Sequence, residues 1–274
     1  MPAMPTMPQE PISAFGRVLR HWRARRRLSQ LDLATEAGIS SRHLSFIETG
    51  RAEPSREMVV LLGSVLDVPL RDRNDLLVAA GYAPMYRETD LQAPGMAQVR
   101  RALDFILRQQ EPYPAIALDR HWGVVQANQA TVRLVERFTL AAGELGPPNA
   151  MRLIFHPHGF RPFIVNWEAT AAALVQWLHR DLLSGLGDDG TRQLLDELLG
   201  YPGVPRGWRS VDLGVSSAPF LAIEFSRDGV GLRFFSMLTT LGTPTDVTLQ
   251  ELRVESFYPA DEATEETARR LAAE

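Results

Sequence analysis

The sequence predicts two classes of structure in one chain. An all-α unit comes first, and an α+β unit, an antiparallel sheet with helices on one face, follows it. Three observations carry that division. Over the first eighty or so positions apolar residues recur at helical spacing between capping residues. Met85 to Gly95 is then rich in proline, glycine and polar residues and has no period. Beyond one further amphipathic helix the period changes to short alternating or continuously apolar runs.

The first helix is expected from about Ser13 to Arg26, with Phe15, Val18, Leu19 and Trp22 on one face. Ser29 caps the second, and Asp32 three residues on completes a reciprocal box. Leu31, Leu33 and Ala34 supply its apolar contacts, and Gly38 stops it. Ser40 caps a third helix, Ser41 to Thr49, whose Leu44 and Ile47 point inward and which Gly50 terminates. Pro54-Ser55 opens a fourth, and Pro69 opens a fifth that ends at Gly81. Short helices with a four-residue break between the second and third are a helix-turn-helix.

After the break, Met96 to Gln110 is amphipathic through Val99, Leu103, Ile106 and Leu107. Ala115–Asp119 and Gly123–Ala127 are apolar runs joined at Arg120-His121-Trp122, a hairpin. Asn128 caps the next helix, and Ala141 to Asn149 reads as a loop. A long helix from about Phe163 to Leu183 and a short one from Thr191 to Leu199 flank a break at Gly185 to Gly190. Gly200 to Pro219 is irregular. Strands follow at Leu221–Ser226, Val230–Thr240 and Val247–Tyr258. In the last, Leu252 and Val254 face one way and Arg253 and Glu255 the other. A helical tail closes the chain. The expected division is a disordered tail at 1–11, a helix-turn-helix unit at 12–84, a linker at 85–95, the α+β unit at 96–262 and a C-terminal helix at 263–274.

Composition narrows the chemistry. The chain has 274 residues, no cysteine and a net charge of −4. Without cysteine there is no disulfide, thiolate metal site or cysteine nucleophile. No run approaches the ~18 apolar residues of a membrane span, so the chain reads as soluble and cytoplasmic, with no membrane partner. Every basic residue is arginine, nine of them between Ala14 and Arg56 against four acids, while the rest is acidic. A basic head on an acidic body points to a polyanion partner for the head alone, although a solvated arginine-rich helix fits the cluster Arg23 to Arg27 equally well. His156-Pro-His158 lacks further ligands at useful spacing, and Gly187-Asp-Asp-Gly lacks the count for calcium. The sequence also has no Gly-x-Ser-x-Gly, no phosphate-cradling loop and no lysine for a Schiff base. Neither metal, cofactor nor catalytic apparatus is indicated.

Leu28-Ser-Gln-Leu-Asp-Leu-Ala, Ala37-Gly-Ile-Ser-Ser-Arg-His-Leu-Ser-Phe-Ile-Glu-Thr-Gly-Arg51 and Pro54-Ser resemble the helix-turn-helix of XRE-family, phage-repressor-like regulators. The resemblance implies binding to double-stranded DNA. Gln30 is placed to hold a phosphate, while Ser41, Arg42 and Phe46 lie where relatives read bases. His43 and Ser45 flank them, and Ser40, the cap, joins the DNA-facing set. Arg42 matches the donor geometry of guanine O6 and N7, and Phe46 can pack on a thymine methyl. Arg51 and Arg56 are assigned to phosphate. Arg23 and Glu48 match a family pair tying the first helix to the third, so they are assigned to structure.

The likeness extends through Val68-Pro-Leu-Arg-Asp-Arg-Asn-Asp-Leu-Leu, Asp119-Arg-His-Trp-Gly-Val-Val-Gln-Ala-Asn128, Gly242-Thr-Pro-Thr-Asp-Val-Thr-Leu and Glu255-Ser-Phe-Tyr-Pro, which are similar to MmyB-like regulators. That resemblance implies a PAS-like domain holding a small, mostly apolar, fatty-acid-like ligand. Because a single small head buries limited DNA surface, a homodimer on a palindromic operator is the expected form. Phe155, Phe163, Trp167, Trp177, Phe225 and Phe234 are candidate cavity walls, and the same aromatics serve equally as plain core. A ligand-free dimerisation or docking module is the alternative for this domain. An enzyme with a DNA-targeting head is the other.

Overall fold

The computed structural model describes residues 13–140, 146–184, 189–205 and 220–274. They form two compact units, Met1–Glu88 with Pro244–Gln250, and Thr89–Thr243 with Glu251–Glu274. The tail at 1–11, the Ala141 side of the expected loop, most of the break after Ser184 and the stretch up to Pro219 fall largely outside the described residues. Among those described, no helix is long and apolar enough to cross a membrane.

The first unit contains α1 (Ala14–Arg25), α2 (Gln30–Glu36), α3 (Ser41–Thr49), α4 (Arg56–Val65) and α5 (Leu70–Ala79). Each of the first four starts where a hydroxyl can satisfy a free backbone donor. Ser13, Ser40 and Ser55 accept from the amides of Gly16, His43 and Met58, and Ser29 and Asp32 exchange both bonds of a capping box. Gly50, at φ 78°, adopts the left-handed conformation that ends α3. Leu19, Trp22, Leu33, Leu44, Ile47 and Leu62 are buried in one core. Leu31, expected to join it, lies instead on the exposed side of α2.

A buried ion pair fixes α3. Glu48 is wholly shielded from solvent and takes a two-pronged contact from Arg23, at 2.7 and 3.1 Å. Arg20 approaches the same carboxylate to 3.3 Å, and the Gln30 amide donates to it at 2.7 Å. One residue of α3 thus holds both α1 and α2. At Gly16 the helices pass so closely that a Cβ would overlap the Glu48 carbonyl oxygen.

Helix α5 is started differently. Pro69 precedes it and supplies no side-chain cap. Its first amide, at Leu70, donates instead to Gln250 Oε1 at 2.6 Å, and Val247 donates to the Arg87 carbonyl at 2.8 Å. The expected linker is tied down at its start, because Asn74 Oδ1 accepts from the amides of Met85 and Tyr86.

The second unit runs α6 (Ala97–Gln109), β1 (Ala115–Leu118), β2 (Val124–Ala127), α7 (Gln129–Phe138), α8 (Ala150–Phe155), α9 (Trp167–Ser184), α10 (Asp189–Gly200), β3 (Ala222–Arg227), β4 (Val230–Thr240), α11 (Val247–Glu251, most of which groups with the first unit), β5 (Arg253–Pro259) and α12 (Glu262–Ala273). Its sheet is antiparallel in the order β2-β1-β5-β4-β3. Ile116 and Leu118 face the main core. Ala117 pairs with Gln126 on the opposite face, where the Gln126 amide meets Asp104 of α6. Buried Asn128 caps α7, accepts from the Ala115 amide and donates to the carbonyls of Leu107 and Tyr113. It joins α6, β1 and α7 at one side chain.

Three expected elements differ. The long helix starts at Trp167, not Phe163, because Ile164 bridges Phe225 and the Val165 amide donates to Glu224, so this backbone pairs with β3. Phe163 belongs to a 3-10 turn. Asn149 begins α8, which was not expected, by accepting from the Met151 and Arg152 amides. Val247–Glu251 is helical, so the last strand is shorter than its apolar run.

Replacing Glu48 with alanine would leave arginines facing a buried, unpaired position, at a cost of ~3 kcal/mol. Native-state hydrogen exchange of the full chain should show protection of α1 and α3 amides falling by about that amount, with α9 unaffected.

Candidate DNA-binding face and ligand cavity

The exposed part of α3 carries the predicted contacts. Ser41, Arg42 and His43, in its first turn, are exposed, and Ser45 and Phe46 are half-buried. The Arg42 guanidinium lies over the Phe46 ring, 5.3 Å from its centroid, so the two side chains form one surface element. Arg51 follows α3 directly and Arg56 opens α4, both exposed. Ser40 spends its hydroxyl on the His43 amide, which leaves it a capping role with the backbone amides of the first turn beside it. Gln30, half-buried at the start of α2, donates one side-chain N–H to Glu48.

The α+β unit contains a partly open cavity of about 580 Å³ between the sheet and α7, α8 and α9, a size typical of small-molecule sites. Ile116, Val124, Leu134, Ile154, Leu174 and Phe257 contribute to a largely apolar wall. Of the six candidate aromatics, Trp177 and Phe234 line it. The other four pack elsewhere. Phe155 is fully buried edge-on to Trp167, Phe225 lies against Phe138 and Phe160, and Phe163 sits beneath Arg227. An aromatic stripe at helical spacing therefore divides between core and wall.

The polar groups of the wall fall into two sets. Thr131 donates to the Ala115 carbonyl, and Asn149 caps α8 and donates to the His121 carbonyl, so both serve the fold. Glu136 and Arg180 are exposed. Glu255 is only 9% exposed, and burial pushes its carboxyl above the usual range, partly opposed by the Ser236 hydroxyl. Trp122 is 2% exposed, meets Trp177 edge-to-face at 4.7 Å, and has no partner for its indole N–H among the described residues.

Trp122 and Glu255 were not recognised as site residues. Trp122 read as part of a turn, where it adopts φ 67°. In the alternation of the last strand Glu255 shares a face with Arg253, opposite Leu252 and Val254. What separates it is tertiary: β5 lies at the centre of the sheet between β1 and β4, and Glu255 lines the cavity there.

His156 and His158 serve the local backbone. His156 Nδ1 accepts from the His158 amide, and its ring lies edge-on to Tyr201. Among the described residues no cluster of potential ligands could hold a metal ion.

A helix-turn-helix with an exposed, arginine-bearing third helix, joined to a sheet-and-helix unit with an apolar cavity, defines a DNA-binding transcription regulator with a ligand-binding domain. Residues 14–76 match a helix-turn-helix domain family, and residues 99–271 match the MmyB-like transcription regulator ligand binding domain. The chain belongs to the MmyB-like regulators. An uncharacterized HTH-type transcriptional regulator of Bacillus subtilis, RghRB, is 38% identical over 78 residues, 28% of this chain and 54% of that protein. This chain thus spans about half the length of that relative. The crystal structure of the clp gene regulator ClgR from C. glutamicum is 31% identical, covering 26% of this chain and 92% of ClgR, with a TM-score of 0.23.

Burial makes Glu255 a weaker acid in the folded protein, which gives stability a definite pH dependence. A carboxyl that binds its proton more tightly folded than unfolded stabilises the fold less as pH rises above the ordinary carboxylate range. Glutamine at position 255 does not titrate. The melting temperature of Glu255→Gln relative to the unaltered protein, followed by near-UV circular dichroism, should therefore climb as pH rises above the ordinary carboxylate range.

Proposed function

We propose that this regulator acts in the cytoplasm as a homodimer on a palindromic operator, and that its second domain senses a small, mostly apolar, fatty-acid-like molecule. The observation that carries this reading is the apolar cavity in a domain of the ligand-binding family. The exposed start of α3 supports DNA contact through Ser41, Arg42, His43 and Phe46, with Arg51 and Arg56 at phosphates. One small head covers little DNA, and a symmetric pair on two half-sites multiplies that surface. A ligand alters DNA affinity only through its unequal affinity for two arrangements of the regulator.

The two classes of arginine should separate on mutation. Arg42→Ala should lose about 1–3 kcal/mol of discrimination at one position of each half-site, and Arg51→Ala should weaken all sequences alike and lower the salt slope by about one. Binding titrations over operator variants and salt series read both, and identical profiles for the two variants would contradict the groove assignment.

The cavity is tested separately. Mass spectrometry of the denatured, purified protein should find a stoichiometric apolar small molecule, whereas its repeated absence after several preparations would favour a domain used for dimerisation or docking.

A further inference from the structure

The cavity is apolar in its depth and carries a single cation, and helix α9 draws the gradient between the two. Ala173, Leu174, Trp177 and Arg180 line the cavity and recur at the three- and four-residue spacing that places them on one face of the helix. Exposure rises along that face: Leu174 is buried, Trp177 is half-buried and Arg180 is exposed. The helix therefore passes from the interior of the cavity wall toward solvent and arrives there with a guanidinium. Arg180 is the one cation among the described residues of the wall. No described acid pairs with it, and the adjacent Asp181 meets Arg253 at 3.3 Å instead. The acids of the wall belong to other elements. Glu255 is buried on β5, and Glu136 is on α7, where it borders a neighbouring groove together with Arg133 and Arg137.

We propose, resting on the apolar-ligand reading above, that Arg180 holds the head of the ligand. The cavity then takes an amphipathic monoanion, an alkyl chain ending in a carboxylate, with its tail inward and its head at the exposed end of this α9 face. A guanidinium offers a carboxylate two parallel N–H donors, which fixes orientation as well as adding attraction. The opposite insertion would take the charge out of water and set it in an apolar wall that includes Glu255. An alcohol of the same length buries the same chain but gains only a weaker hydrogen bond at Arg180, and an alkylamine is repelled there. Because Arg180 is exposed, its contribution is moderate and screened by salt. The tail supplies most of the affinity, and the arginine supplies the choice of head group.

The test uses the full chain and displacement of the neutral fluorophore N-phenyl-1-naphthylamine by dodecanoate, ionised at about pH 8, and by 1-dodecanol. Arg180→Ala should raise the dodecanoate concentration needed about fivefold and leave that of dodecanol within about twofold. Arg180→Lys, which keeps the charge without the planar fork, should recover part of the loss. Arg137→Ala, on the neighbouring groove, should change neither. An unchanged dodecanoate value in Arg180→Ala, an equal loss for both compounds, or a loss confined to Arg137→Ala would overturn the assignment of the head group to Arg180 while leaving an apolar ligand in the cavity. Failure of the unaltered protein to bind the probe, or of both compounds to displace it, would overturn the apolar-ligand reading and the assignment with it.

Discussion

A charge removed from water must be answered where it is buried, and the helical unit is organised around that requirement. Glu48 is inaccessible, yet Arg23, Arg20 and Gln30 converge on its two oxygens. Because Glu48 is part of α3, meeting the requirement also sets the angle at which α3 leaves the core. Arg42 and Phe46 inherit their placement from this arrangement. Close passage of α1 at Gly16 reinforces it, since that approach is possible only without a side chain. Along its nine residues α3 thus pairs an anchored, buried end at Glu48 with an exposed first turn.

The second buried glutamate inverts the pattern. Glu255 has one modest partner and an apolar cavity in front of it. In a purely structural position such a residue opposes folding, because desolvation is not recovered by hydrogen bonds. Natural proteins tolerate this where a site needs a polar point that nothing internal consumes. Thr131 and Asn149 illustrate the contrast within the same wall, since their polar atoms are already engaged with backbone. The wall thus combines polar atoms engaged with backbone and a buried carboxyl on the central strand.

Most of the helical unit was legible from local chemistry. Ser29 with Asp32, Ser40 with Gly50, and Ser55 after Pro54 announce helix ends through interactions that span three or four residues, and those do not depend on the rest of the fold. Leu31 escaped because helical spacing fixes which residues share a face, but not how wide the buried face is. In the α+β unit, the hairpin at Arg120-His121-Trp122 and the turn at Asp228-Gly229 could be read for the same local reason. The start of α9 could not, since residues 164–166 are claimed by a strand some sixty positions away. Val247–Glu251 carries an alternating, β-branched run that favours a strand, and its partners in the helical unit override that preference. The cavity was least legible. Aromatics advertise themselves in a sequence, whereas Glu255 gains its meaning only from a central strand and from the space before it.

Gln250 completes a structural sentence begun at Pro69. A proline entry leaves α5 without a capping side chain, and the missing acceptor arrives from a residue 180 positions later. The helical unit is therefore discontinuous in the gene, and a fragment cut after Glu88 would lack a native part of itself. Three covalent passages connect the units, at 88/89, 243/244 and 250/251. Recombination that exchanged the front of such a regulator for another would have to preserve this returning thread, because the helix-turn-helix unit includes residues Pro244–Gln250 as well as the first 88.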